Sequence, residues 1–318
     1  MKKKHVKRQT LTVSVFPYMD GLIRRKRAAG KESTADLYRA SSNWLRKFRG
    51  NDQLLFSQIT PALVDSFHRF LCSQQHLAAN SINSYMSNFR AMYNISIQEK
   101  VAVRPSDHPF THLALRMEKT AKRAVRRETI EEIAHMDLKK EPELEKARDI
   151  CIFSFLGCGI PFVDLAHLTP CNIVGEELAY NRVKTGTLIR VRITSGMRTI
   201  LDKYASAKNP YLFPVLTPTS GKSSHEAYKH DLRQYNRYLK VLSKRLSTPV
   251  RLTSYVIRHT WASEALRQNT PVAIISQALG HTSEKTTRHY LAALDQSMLD
   301  AANAVIIKGI DEVIRKVA

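Results

Sequence analysis

Only one stretch of this chain alternates apolar with polar side chains: LAYNRVKTGTLIRVRI, residues 178–193, with Thr185-Gly186 at its middle. Alternation with a period of two belongs to strands, and a glycine between two such runs supplies the turn of a hairpin. The other long segments repeat their apolar residues at helical spacing. Such a chain has strand material for one small antiparallel sheet and must bury the rest of its surface between helices. The expected fold class is mainly α, an all-helical first domain followed by an α+β domain that carries the hairpin.

The 318 residues suffice for two ordinary domains. Four helices are expected before residue 105. The first is a short one in VSVFPYMDGLIRRKR. TADLYRASSNWLRKFRG follows, with Leu37, Ala40, Trp44, Leu45 and Phe48 on one face and Gly50 as its stop. TPALVDSFHRFLCSQ opens on a Thr60 cap and Pro61 at the first helical position. NSINSYMSNFRAMYNISIQEK presents Ile82, Tyr85, Met86, Phe89, Met92 and Tyr93 behind an Asn80 cap. RPSDHPFTHLALRMEKTAKRAVRRE then loses periodicity and turns basic, which reads as a linker. The expected division is an all-helical domain over 1–104, a linker over 105–124 and a second domain over 125–318.

In the second domain RRETIEEIAHMDL and ELEKARDICIFSFLGCG read as helices before the hairpin. YKHDLRQYNRYLKVLSKRL, SYVIRHTWASEALRQ, PVAIISQALG, SEKTTRHYLAALD and AANAVIIKGIDEVIRKV read as helices after it. No run approaches the eighteen or so apolar residues that a membrane span needs, and the start has no secretory h-region. Cys72, Cys151, Cys158 and Cys171 form neither a C-x-x-C pair nor a zinc spacing, the pattern of reduced thiols in a cytoplasm.

Net charge is +22, and it is uneven: residues 1–127 hold 24 Lys and Arg against 8 Asp and Glu. Such an excess repels itself in the folded state, and a polyanionic partner relieves it. Nucleic acid is the expected partner; the charges are too dispersed for an anionic membrane.

LGHTSEKTTRHYLAAL, residues 279–294, carries candidate chemistry. Gly280 reverses the chain after one helix, His281 sits on the reversal, Ser283 caps the next helix, and Tyr290 lies about two turns in. Upstream, RHTWA offers Arg258 off the stripe of Ile257, Trp261 and Ala265, and Lys184 precedes the hairpin turn. Singly, a helical tyrosine is a core plug, a histidine a packing residue and an arginine a solvated charge.

In sequence, KTG, RHTWASEAL, LGH and TTRHY resemble the tyrosine recombinase (phage integrase) family over nearly the whole chain. The similarity around FVDLA extends to the Bacteroides-type integrases and invertases. The resemblance implies a SAM-like core-binding domain followed by a catalytic domain. It makes Tyr290 the nucleophile that stores a DNA strand end as a 3′-phosphotyrosyl ester. It implies that Arg258 clamps the scissile phosphate, Lys184 protonates the 5′-oxygen, His281 hydrogen-bonds the phosphate or assists proton transfer, and Tyr255 donates a hydrogen bond to a phosphate oxygen. Asp164 and His259 would support these groups. No metal or other cofactor is implied.

Two positions depart from the family's pattern. Where it reads T-G-L-R-x-S-E-L, this chain has LGCGIPFVDLAHL, with Pro161 at the arginine; a related branch, R-G-M-S-F-V-D, aligns its arginine with Cys158. Tyr255 stands where the family has a histidine. Arg148, Arg182 and Arg198 are the cations available to replace the missing arginine. His289, beside the tyrosine, reads as structural or DNA-facing. The implied function is site-specific recombination (integration, excision or inversion) by a homotetramer on paired double-stranded DNA sites. A DNA-bending accessory protein would be a possible further partner. The setting implied is a bacterial cytoplasm, at the nucleoid when bound. The competing reading is a DNA-binding accessory factor, weakened or inactive because Pro161 and Cys158 carry no charge. The last segment, with Val305, Ile306, Ile307, Ile310 and Val313, reads either as a core helix or as an arm docking on a neighbouring protomer.

Overall fold

The computed structural model describes residues 13–116, 118, 124–204, 209–216, 224–291, 303–305 and 307; Ser224, His289 and Tyr290 are described by backbone alone. The chain divides into two compact units, Met1–Thr120 and Ala121–Ala318. No described helix is long and apolar enough to cross a membrane.

The first unit is built on α1 (Val15–Ala28), α2 (Glu32–Arg49), α3 (Pro61–Cys72) and α4 (Ala79–Gln98). Thr60 caps α3 by accepting the Leu63 amide at 3.2 Å, with Pro61 behind it. Gly50 ends α2 in the left-handed conformation. Asn80 is not a cap: α4 begins at Ala79, and the Asn80 amide holds the Glu118 backbone through two 3.0 Å hydrogen bonds.

The buried face of α2 also differs from the expected stripe. Ala35, Tyr38, Ser41, Ser42 and Leu45 are buried, whereas Leu37 is 45% exposed and Trp44 and Phe48 are half-buried. Small serines let helices approach closely, and the Ser41 hydroxyl is satisfied by donating to the Tyr85 carbonyl at 2.7 Å. Within the stretch expected as a linker, Phe110 is buried, meeting Phe89 edge-on at 5.0 Å. The prolines that break helical periodicity thus introduce a strap that closes the first core.

The second unit opens with α5 (Arg127–His135), α6 (Pro142–Leu156) and α7 (Phe162–Ala166). Three antiparallel strands follow in the order β1 (Ile173–Val174), β2 (Glu177–Asn181), β3 (Leu188–Arg192), with Leu178 opposite Val191 and Tyr180 opposite Ile189. Then come α8 (Ser195–Tyr204), α9 (Ser224–Ser243), α10 (Ser254–Arg267), α11 (Val272–Leu279) and α12 (Glu284–Leu291). The mainly helical class with a small sheet is what the structure has. The helices α7 and α8 had no counterpart in the sequence reading. Lys184 lies inside the turn between β2 and β3 and not at a strand end. The final segment expected over 301–317 is largely outside the described residues.

Removing the strap's aromatic anchor tests this account of the first core. Phe110→Ala should cost about 3–5 kcal/mol, the usual loss for a buried phenylalanine. Hydrogen exchange should rise throughout the first unit and stay unchanged in the second.

Candidate functional site

The elements of the second unit converge where α11 ends. Gly280 caps that helix at φ 62°, and its amide and that of His281 bond back to Gln277 and Ser276. A side chain there would be strained by the backbone angle and blocked in space: a Cβ would lie 2.7 Å from both Arg182 Cδ and Ile189 Cδ1. The reversal frees the Leu279 carbonyl from the helix, and two guanidinium groups take it. Arg182 Nη1 donates to it at 2.7 Å, and Arg258 Nη2 donates to the same oxygen.

Each arginine has a second anchor. Arg182 Nε pairs with Asp164 at 3.0 Å, and the other oxygen of that carboxylate accepts the Val183 amide at 2.8 Å. Asp164, on the short α7, therefore fixes both the hairpin and its arginine. Arg258 Nη1 donates to the Gly159 carbonyl at 3.0 Å. Gly159 has φ 72°, and a Cβ on it would stand 2.8 Å from Arg258 Cα, so the bend before α7 packs directly on α10. Arg258 is only 3% exposed. It does not sit off the buried stripe, as the spacing of Ile257, Trp261 and Ala265 suggested. Val256, Thr260 and Ala262 are buried too, so α10 is enclosed on several sides.

An open cleft of about 600 Å³ lies over this cluster. Its lining brings together Arg182, Lys184, Tyr255, Arg258 and His281, and Pro161 lines it too. Tyr255 is exposed, and its ring meets His259 edge-on at 4.9 Å. Tyr290 belongs to α12; its side chain and that of His289 lie outside the described residues.

The three arginines named as replacements separate clearly. Arg148 is turned to Asp149 and the Met136 carbonyl, and Arg198 is exposed on α8. Arg182 alone of the three lines the cleft. Neither Pro161, which precedes α7, nor Cys158 supplies charge; burial raises the Cys158 thiol pKa against the lowering pull of Arg258. Cys158 and Gly159 both have positive φ, which makes the sharp bend that aims the Gly159 carbonyl at Arg258.

His281 is held from two sides. Its Nε2 lies 3.4 Å from Arg258 Nη2 and its Nδ1 2.8 Å from the Thr287 hydroxyl. Burial, then the positive charges of Arg258, Arg182 and Lys184, push the imidazole pKa down to about 4. At neutral pH it is an uncharged hydrogen-bonding group among cations. Sequence reasoning missed Thr287 and the Leu279 carbonyl. Nothing in the sequence sets Thr287 apart from Thr282, Ser283 and Thr286, the other hydroxyl residues between His281 and Tyr290, and a backbone oxygen has no sequence signal.

Comparison with known proteins agrees with this organisation. A Phage integrase SAM-like domain matches residues 14–108, and the Phage integrase family matches residues 123–297. Tyrosine recombinase XerC of Leptospira interrogans is 22% identical over 268 residues, 82% of this chain and 83% of that protein. A tyrosine recombinase of Thermosipho africanus is 25% identical over 51% of this chain and 54% of its own length. A lambda integrase(75–356) dimer bound to a COC′ core site superposes with a TM-score of 0.65 at 16% identity, covering 89% of this chain and 98% of that one. The Tn1549 transposon integrase in complex with transposon right end DNA gives 0.63 at 15%, covering 93% and 99%. At such identities the structural likeness is one of fold.

The depressed imidazole predicts a direction for stability. The unfolded chain takes up a proton on His281 near pH 6.5 while the folded chain refuses it until about pH 4. Stability is therefore lost as pH falls through that window. Urea midpoints across it should show a shallower loss in His281→Asn than in the unaltered protein.

Proposed function

This chain belongs to the phage integrase family, and from that premise we propose that it is a site-specific DNA recombinase that cleaves and rejoins strands through Tyr290. The observation that carries the reading is the pair of buried guanidiniums, Arg182 and Arg258, meeting at one carbonyl beside Lys184 and His281. Buried charge is expensive, and cations gathered on one wall of an open cleft are relieved by an anion. A phosphodiester is the anion that a basic chain of this family would bring there.

In this reading the Tyr290 phenolic oxygen attacks phosphorus, forming the 3′-phosphotyrosyl ester as the bond from phosphorus to the 5′-oxygen breaks. Lys184 gives its proton to that departing oxygen, and the phenol's proton leaves to solvent or a neighbouring base. The 5′-hydroxyl of an incoming strand reverses these steps and releases the tyrosine. Arg258 and Arg182 stabilise the charge that builds on the non-bridging oxygens, Arg182 standing in for the arginine absent at Pro161 and Cys158. Tyr255 and His281 hydrogen-bond the same group, and Asp164 and His259 hold their neighbours in place. The cationic side chains do the electrostatic work without a metal. The basic first unit contributes phosphate contacts. Assembly as a tetramer on paired sites in a bacterial cytoplasm completes the reading; one of the similar structures is a lambda integrase tetramer bound to a Holliday junction.

A nicked-duplex library of randomised sequence traps such an enzyme, because loss of the short 5′ fragment prevents religation. Denaturing purification should recover a covalent protein–DNA adduct from the unaltered protein and none from Tyr290→Phe. Arg182→Ala should lower the yield rate by roughly 10²–10³, the loss typical of one well-placed donor to a developing oxyanion. Binding with no adduct anywhere in the library would leave the chain a DNA-binding accessory factor.

A further inference from the structure

The partner chosen for His281 is a hydroxyl. Thr287 is fully buried on α12, three residues before Tyr290, and its Oγ1 lies 2.8 Å from His281 Nδ1. On the other side of the ring stands Arg258, whose guanidinium can only donate, so Nε2 must accept and the proton of the neutral ring must sit on Nδ1. With no anion bound, therefore, Nδ1–H donates to Thr287. An oxygen of a bound anion reverses the demand on Nε2, because an oxyanion accepts and the ring must then donate to it.

A carboxylate or a carbonyl against Nδ1 would forbid this exchange, since either can only accept and would pin the proton in place. A carboxylate would also draw a second proton onto the ring. A hydroxyl can rotate and donate instead. We infer that Thr287 is a positioning residue whose hydroxyl lets His281 exchange tautomers: with no anion bound the ring carries its proton on Nδ1, and when a phosphoryl oxygen enters, Nε2 takes a proton from solvent while Nδ1 releases its own to solvent and accepts from the hydroxyl. Because the hydroxyl rides on the helix that carries Tyr290, the exchange also reports that this helix is docked against the cleft. The catalytic consequence of the inference rests on the recombinase reading; the response of the tautomer to an anion does not.

Nitrogen NMR of the full-length protein labelled at histidine, with His281 assigned through His281→Gln, tests it in mildly alkaline buffer. The unliganded protein should show the Nδ1–H form, and inorganic phosphate should convert it to Nε2–H. Thr287→Val, which keeps shape but not the hydroxyl, should show the same tautomer with and without phosphate and lower the rate of adduct formation roughly tenfold, a small part of what proton placement can supply. DNA affinity should be unchanged, and Thr287→Ser should restore both tautomer response and rate. A ring that phosphate leaves unchanged or protonates on both nitrogens overturns the inference, as does a valine variant that still responds. If the tautomer responds as expected but no adduct forms with any DNA, the positioning role stands and the recombinase reading falls.

Discussion

A single backbone oxygen, the carbonyl of Leu279, organises the second unit by accepting from Arg182 and Arg258 at once. Two like charges brought to one atom repel each other, and burial strengthens the repulsion by removing water. The arrangement persists because each guanidinium has a further fixed acceptor, Asp164 for one and the Gly159 carbonyl for the other. It also needs the left-handed Gly280, since no larger residue lets the chain turn while the Arg182 stem passes beneath. Hairpin, α7, α10 and α11 are tied together through polar groups that would be costly to leave unpaired.

The same constraint explains the electrostatics of the cleft. Asp164 is spent on the Arg182 side chain and the hairpin backbone, and His281 is kept neutral by burial first and then by the cations around it. Excess positive charge is therefore fixed in place before any ligand arrives. Preorganised charge of this kind avoids reorganising dipoles during reaction, the largest single contribution to many enzymatic accelerations. The two units divide the work: α1 to α4 form a core of their own sealed by Phe110, whereas the second core supports a polar cluster.

Much of this was legible in the sequence, for reasons that can be named. Most helices announced themselves through apolar spacing, α7 and α8 excepted, and the hairpin through the one alternating run. The expected neighbours Lys184, Arg258 and His281 do line one cleft. What failed was burial. Arg258 was expected off the buried face, but periodicity reports only hydrophobic contacts and is blind to an arginine whose charge is matched by carbonyls. Leu37 was expected inside, but α2 approaches its neighbours through Ser41 and Ser42, which a hydrophobic stripe cannot anticipate. The preference for Arg182 over Arg148 and Arg198 required coordinates, because it depends on the turn that brings residue 182 beside residue 279.

A double-mutant cycle on the rate of covalent adduct formation tests the central claim most directly, using Arg182→Ala, Arg258→Ala and the two together. Guanidiniums held by a shared oxygen to act on one phosphate should couple, so the double variant should be less impaired than the product of the single effects by tenfold or more, about 1.4 kcal/mol. Strict additivity, with Arg182→Ala near unaltered activity, would mean that Arg182 only braces the hairpin and that the cleft is not built around a pair.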